Sequence, residues 1–308
     1  MSKKDVYVVL GGGAALGYAH IGVLEVLEQR FSIKGIIGTS MGSIIGGLYA
    51  YGYTPKDLLR IAQEINFAEF VKINIFGYKN GLIVTKKLLE FLDSLTHKSN
   101  IEELPLEFAS IAFDIKGNNI DKIPKTMIID KGSLSKAMLS SSNLPFINNP
   151  FHYDGYSFVD GGIGHPLPIE FIGFFKKDYP IIAVNVLPDL LNDPDLFKQS
   201  NVNSQKVKTD EFFVFNALQS SVYNQAYLAM NSLQNVKPDV YISAYNSNLK
   251  PWDFYEVESF YKSGKKDTEL ALSKLYDSKD DIIEDIREKY KNLFKRIRDF
   301  MEKNRKFL

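Results

Sequence analysis

A short apolar run near the start of the chain, residues 6–10, ends abruptly in three glycines. A stretch with helical spacing follows, with Ile21, Leu24 and Leu27 on one side, and a second apolar run covers residues 33–38. This order predicts a β-α-β unit with parallel strands and a right-handed crossover. The glycines place backbone N–H groups near a helix N-terminus, an arrangement that binds anions.

A second glycine motif, GTSMG at residues 38–42, lies between the second predicted strand and another helix. In this context G-x-S-x-G is typical of a nucleophile elbow, in which a sharp turn raises the serine above the sheet. A tight turn of small residues, needed only for close packing, is the alternative. If Ser40 is a nucleophile, the anion is the transient oxyanion of an acyl intermediate. Its candidate donors are the backbone N–H groups of Gly11, Gly12, Gly13 and Ala14.

Nucleotide binding is a competing interpretation of the first glycine loop. Gly11, Gly13 and Gly17 fit a loose dinucleotide fingerprint, but that fingerprint requires an acidic residue near the end of the second strand. This chain has GTS at that point, and no Gly-Lys-Ser/Thr follows the loop as in a P-loop. The 37 basic and 37 acidic residues give no net charge, which argues against a general nucleic-acid binder.

A serine nucleophile needs a base, and histidine is a poor fit in this sequence. The chain has four histidines, and none follows His165, whereas an α/β-hydrolase places its histidine late in the chain. Asp160, in YSFVDGG at residues 156–162, ends a short apolar strand and opens a glycine turn. A partly buried carboxylate with a raised pKa can act as a base. An ordinary Asp-Gly turn is the alternative, and His165 is a further candidate for contact with the site.

Three motifs in this order, GGGAALG at residues 11–17, GTSMG at 38–42 and DGG at 160–162, resemble those of the patatin-like phospholipases. The resemblance extends over about residues 6–245. It implies an α/β fold, a three-layer sandwich with a central, mostly parallel sheet flanked by helices. It also implies a serine lipid acyl hydrolase that cleaves fatty-acyl esters through a Ser40–Asp160 dyad and an acyl-enzyme. The glycine-loop amides would hold the oxyanion, and neither a metal nor an organic cofactor would be needed.

One residue departs from the pattern of the family. Members usually carry Arg or Lys just before the last glycine of the first loop, where this chain has Leu16. The loss of that charge favours neutral lipids or lysolipids as substrates. It also suggests an alternative function, a lipid or fatty-acyl binding protein with little or no activity. An esterase for small soluble esters is a third interpretation of the same motifs.

The rest of the chain suggests a catalytic domain at residues 1–245 and a mostly helical extension at 246–308. Thr54 and Thr85 are predicted to cap helices. The polar segment 189–210 is expected to be an exposed loop or lid. Residues 279–304 predict an amphipathic helix with charges of both signs, which favours packing or homodimerisation over lying on a membrane.

The composition and the absence of targeting patterns indicate a cellular compartment. The chain has no cysteine, no signal-peptide pattern, and no apolar stretch long enough to span a membrane. We expect a cytoplasmic protein, peripheral on membranes, that meets its lipid substrate at a membrane or micelle surface and does not bind nucleic acid.

Overall fold

A mixed β-sheet forms the centre of the molecule. The computed structural model describes residues 3–65, 81–117, 123–145, 148–190 and 210–277. The strands in these residues are β1 Lys4–Leu10, β2 Phe31–Thr39, β3 Glu107–Asp114, β4 Lys125–Ile129, β5 Phe151–Tyr153, β6 Tyr156–Asp160, β7 Ile181–Asn185 and β8 Val240–Ser243. They are arranged in the order β5-β6-β3-β2-β1-β7-β8, with β4 also paired to β3.

Helices flank this sheet. They are α1 Ala19–Arg30, α2 Met41–Tyr51, α3 Pro55–Glu64, α4 Gly81–Thr96, α5 Leu134–Ser142, α6 Asp210–Asn235 and α7 Val257–Asp277. Strands β1, β2, β3, β7 and β8 run parallel, which confirms the predicted β-α-β unit and the mostly parallel sheet. Side chains on both faces of β1 are buried from Val6 to Leu10, as expected for a continuous apolar run in a central parallel strand.

Strand β3 brings two distant strands together end to end. Ile111 pairs with Thr39, the last residue of β2, while the next residue, Ala112, pairs with Asp160, the last residue of β6. Both β3 residues also pair with β4, so β4 occupies one edge of β3, and β2 and β6 share the other. Because β2 is parallel and β6 antiparallel to β3, their carboxyl ends meet.

The predicted helix starts have different outcomes. The Thr54 side chain accepts a hydrogen bond from the Asp57 N–H at 3.2 Å, which confirms it as the cap of α3. The prediction for Thr85 is wrong, because α4 already begins at Gly81 and Thr85 lies buried within it. The apolar residues before Thr85 continue the helix towards its N-terminus. Almost all of the predicted loop or lid at 189–210, and the whole predicted helix at 279–304, lie outside the described residues.

Helix α7 packs closely on α1 at two glycines. A Cβ atom placed on Gly22 would collide with the carbonyl oxygen of Tyr261, and one placed on Gly264 would collide with that of Ala19. The described part of the predicted extension is therefore in backbone contact with the first helix of the chain. The boundary at residue 245 stays a prediction. No helix in the described ranges is long and apolar enough to cross a membrane.

Gly264→Ala is expected to lower the free energy of unfolding by about 1–3 kcal/mol, because the new methyl group forces two helices apart. Helix propensity alone predicts the opposite, a gain of up to ~1 kcal/mol. Urea denaturation measures the difference. Ser273→Ala, at an exposed position of the same helix, is the control and should change stability by less than about 0.5 kcal/mol. A Gly264→Ala protein as stable as the parent would contradict this packing.

Candidate active site

Ser40 occupies a strained turn between β2 and α2. Its backbone has φ 55° and ψ −124°, a conformation that costs a non-glycine residue free energy and is found most often at functional sites. The flanking glycines allow the turn. A Cβ on Gly38 would lie 2.5 Å from the carbonyl oxygen of Gly42, and a Cβ on Gly42 would collide with the carbonyl oxygen of Leu10. The GTSMG segment is thus a sharp strand-to-helix elbow, as predicted.

The elbow places the Ser40 hydroxyl against Asp160. Ser40 Oγ donates a hydrogen bond to Asp160 Oδ2 at 2.6 Å, and both residues are buried. The contact follows from the sheet, because the ends of β2 and β6 lie opposite consecutive residues of β3. The other carboxylate oxygen, Oδ1, accepts a hydrogen bond from the Gly162 N–H at 2.7 Å, which leaves Oδ2 directed at the serine.

Burial changes the acidity of Asp160. Removal of the carboxylate from water raises its pKa to about 6, although the hydrogen bonds from Ser40 and Gly162 act in the opposite direction. A carboxylate with this pKa is ionised near neutral pH and is a stronger base than an exposed aspartate. It can therefore accept a proton from the adjacent hydroxyl more readily.

The glycine loop lies against the elbow. A Cβ on Gly12 would lie 3.1 Å from Ser40 Cβ, so a side chain at position 12 would crowd the serine. Two of the four predicted amide donors already have a backbone acceptor in this structure. Gly11 donates its N–H to the Val184 carbonyl at 3.0 Å, and Gly12 donates its N–H to the Pro166 carbonyl at 2.8 Å.

The N–H groups of Gly13 and Ala14 are the two that remain available. Within the described ranges, neither has a hydrogen-bond acceptor. Ala14 also has a left-handed backbone, with φ 50°, so strain is present in the loop as well as in the elbow.

The histidines make other contacts. His20 is fully buried, with Nε2 2.7 Å from the Gly11 carbonyl oxygen, and burial lowers its pKa to about 4. His165 has Nδ1 3.0 Å from Thr126 Oγ1 and Nε2 3.6 Å from Glu170 Oε2. Neither ring is hydrogen-bonded to Ser40 or Asp160, so the pairing of serine with aspartate is direct.

Comparison with known protein families assigns the chain. The sequence model of the patatin-like phospholipases matches residues 8–171, more than half of the 308 residues. The chain belongs to the patatin-like phospholipase family. The matched region contains the glycine loop, the elbow and the DGG turn.

Relatives of this patatin-like protein include larger chains. An uncharacterized NTE family protein of Mycobacterium tuberculosis is 30% identical over 192 residues, which are 58% of this chain and 49% of the relative. Lysophospholipase NTE1 of Debaryomyces hansenii is 28% identical over 60% of this chain and 12% of its own length. The chain thus matches half or less of the length of either relative. VipD from Legionella pneumophila shares the fold, with a TM-score of 0.51 at 14% identity over 89% of this chain and 67% of VipD.

Two features of this patatin-like protein accompany the contact between Ser40 and Asp160. Leu16, at the position where the family usually carries Arg or Lys, is buried and contributes no charge. Ser141 of α5 accepts a hydrogen bond from the Ser40 N–H at 2.8 Å. Sequence reasoning missed Ser141, because it lies in a run of three serines, residues 140–142, that look equivalent in the sequence.

Proposed function

We propose that this chain is a serine lipid acyl hydrolase of the lysophospholipase or phospholipase A type, with Ser40 as nucleophile and Asp160 as base. The observation that carries the proposal is the 2.6 Å hydrogen bond from Ser40 Oγ to a buried carboxylate, made at a strained elbow. A buried serine–aspartate contact can also be structural. Here, however, it combines a backbone conformation that is costly to maintain with a carboxylate whose pKa is raised to about 6, as nucleophilic catalysis requires.

Acylation follows from these contacts. Ser40 Oγ attacks the ester carbonyl carbon while its proton moves to Asp160 Oδ2. The carbonyl oxygen becomes an oxyanion, which the N–H groups of Gly13 and Ala14 are available to bind. When the carbon–oxygen bond to the alcohol breaks, Asp160 returns the proton to the leaving oxygen. The acyl group stays on Ser40.

In deacylation Asp160 acts again as base and then as acid, with water as the nucleophile and Ser40 as the leaving group. Asp160 takes a proton from a water molecule, whose oxygen attacks the acyl carbon. Collapse of the second tetrahedral intermediate releases the fatty acid, and the proton on Asp160 returns to Ser40 Oγ. A donor to an oxyanion contributes roughly 3–4 kcal/mol to the lowering of such barriers.

The proposal that the substrates are lipid esters rests on the relationship to known proteins. Membership of the patatin-like phospholipases and the similarity to lysophospholipase NTE1 support a fatty-acyl ester. The uncharged Leu16 favours a lipid that does not depend on a cation at that point of the loop. We therefore expect faster turnover of lysolipids and neutral acyl esters than of acidic diacyl phospholipids, measurable with mixed micelles of each class.

Intact-mass measurement after incubation with a long-chain fluorophosphonate tests the proposed function directly. We expect a single adduct, located on Ser40 by peptide mapping, together with release of fatty acid from micellar lysophospholipid. The hydrolase proposal fails if the protein takes up no adduct and releases no fatty acid in the presence of micelles or liposomes.

The pH dependence of the same reaction identifies the base. Asp160 must be ionised to accept the proton, so the phosphonylation rate should rise with pH through about 6 and level off above it. His165 is a further titratable group to test, because burial lowers its pKa from its ordinary value. A His165→Gln variant should keep the same inflection in the plot of phosphonylation rate against pH. An inflection that disappears in this variant would assign the titration to the histidine.

A lipid-binding protein without turnover is the second candidate, and Leu16 is the observation that favours it. Such a protein would retain a fluorescent fatty acid in equilibrium binding while giving no fluorophosphonate adduct. Binding together with an adduct supports the hydrolase.

A further inference from the structure

A hydroxyl group from α5 stands between the backbone of the elbow and strand β3. Ser141 is fully buried. Its Oγ accepts the hydrogen bond from the Ser40 N–H at 2.8 Å and donates one to the carbonyl oxygen of Ile111 at 2.5 Å. A hydroxyl can donate and accept at once, so this single side chain links a backbone donor of the elbow to a backbone acceptor of β3.

The register of the sheet explains why a hydroxyl group bridges the Ser40 N–H and the Ile111 carbonyl. Thr39 lies opposite Ile111. If β2 continued, Ser40 would lie opposite Ala112 and its N–H would bond directly to the Ile111 carbonyl. Instead, Ser40 turns out of the strand, and Asp160 of β6 takes the place opposite Ala112. The Ser141 hydroxyl lies at the end of the β2–β3 pairing, where a continued strand would have a direct hydrogen bond from the Ser40 N–H to the Ile111 carbonyl.

We propose that Ser141 is a positioning residue, which keeps the elbow open so that Ser40 Oγ stays on Asp160. This inference rests on the proposed function for its catalytic consequence. Without the hydroxyl, the Ser40 N–H and the Ile111 carbonyl either remain buried and unpaired or close the gap and bond to each other. The first outcome destabilises the elbow. The second draws Ser40 back towards the strand and its hydroxyl away from Asp160.

The adjacent serine provides a matched control. Ser140 is also fully buried, but its Oγ has no hydrogen-bond partner among the residues that the structure describes. Ser140→Ala and Ser141→Ala remove the same atom from consecutive, equally buried positions of one helix. A difference between the two variants therefore reports the lost hydrogen bonds and not the lost volume.

The first test compares phosphonylation rates of the parent and the two variants across the pH range. Ser141→Ala is expected to react about 10- to 100-fold more slowly, the factor that one buried unpaired backbone group corresponds to. Its inflection should also move to higher pH, because the hydrogen bond from Ser40 that holds down the pKa of Asp160 is weakened. Ser140→Ala should stay within about twofold of the parent rate. Loss of packing alone would not move the inflection.

The second test does not need turnover. Amide hydrogen exchange of a peptide spanning residues 38–45, followed by mass spectrometry, should differ between Ser141→Ala and Ser140→Ala. It is faster in Ser141→Ala if the Ser40 N–H is left without an acceptor, and slower if that N–H bonds directly to the Ile111 carbonyl. Equal exchange in the two variants overturns the inference. Equal reaction rates in a parent protein that does react also overturn it. A parent protein that gives no adduct overturns the proposed function instead, and exchange still decides whether Ser141 holds the elbow.

Discussion

Ser40→Ala is expected to lower the rate of fatty-acid release from micellar lysophospholipid by at least about 10⁴-fold, since removal of a catalytic nucleophile leaves only binding and oxyanion stabilisation. The fluorophosphonate adduct should vanish with it. Fold stability should fall modestly, because the buried Asp160 Oδ2 loses the hydrogen bond that Ser40 Oγ donates to it. Initial rates, intact mass and thermal melting measure the three effects.

Ser43→Ala is the control for this substitution. Ser43 lies one turn into α2, is fully buried, and has its Oγ 2.7 Å from Ser110 Oγ. Its loss should reduce stability somewhat but leave the rate within a few-fold of the parent. If Ser40→Ala retained more than about a tenth of the parent rate, Ser40 would not be the nucleophile.

Asp160→Asn is expected to slow the same reaction by about 10³- to 10⁴-fold, because an amide preserves the shape of the side chain but cannot take the serine proton. The amide oxygen can replace one of the two carboxylate acceptors, so the DGG turn should remain folded. Near neutral pH the variant also lacks the buried charge of the parent. Measured kcat should therefore fall strongly, while the thermal midpoint and KM should stay nearly unchanged.

Asp114→Asn tests whether any buried aspartate in this sheet has the same effect. Asp114 is fully buried on β3, and its Oδ1 accepts a hydrogen bond from the Ser157 N–H at 3.0 Å. We expect the variant to keep the parent rate within about twofold. Equal losses in Asp114→Asn and Asp160→Asn would attribute the effect to packing of the sheet and remove Asp160 from the role of base.

The sequence was sufficient for the elements that carry local signals. Glycines at positions 38 and 42 predicted the elbow because only a residue without a side chain fits the close backbone approaches observed there. The scarcity of histidine near the end of the chain, together with the DGG turn, indicated Asp160. The contact between Ser40 and Asp160 agrees with that expectation, while their chemical roles remain a prediction.

The roles of some neighbouring residues depend on tertiary contacts that the sequence does not reveal. Gly11, Gly12 and Gly13 are equivalent as letters, yet the first two donate their N–H groups to carbonyls of Val184 and Pro166, which lie far along the chain. Ser140 and Ser141 are likewise indistinguishable in sequence, and only the helix phase of α5 directs one of them at the elbow. Each of these distinctions depends on where a distant strand or loop ends.

Because β2 and β6 meet on one edge of β3, Ser40 and Asp160 come together only late in the synthesis of the chain. Ser40 and Asp160 are 120 positions apart, so a ribosome exposes the elbow long before it has made the strand that carries the carboxylate. Until that strand pairs with β3, the serine has no acceptor for its proton. Under the proposed function, an unfinished chain is inert towards the lipids around it, and the completed sheet acts as the switch that starts hydrolysis.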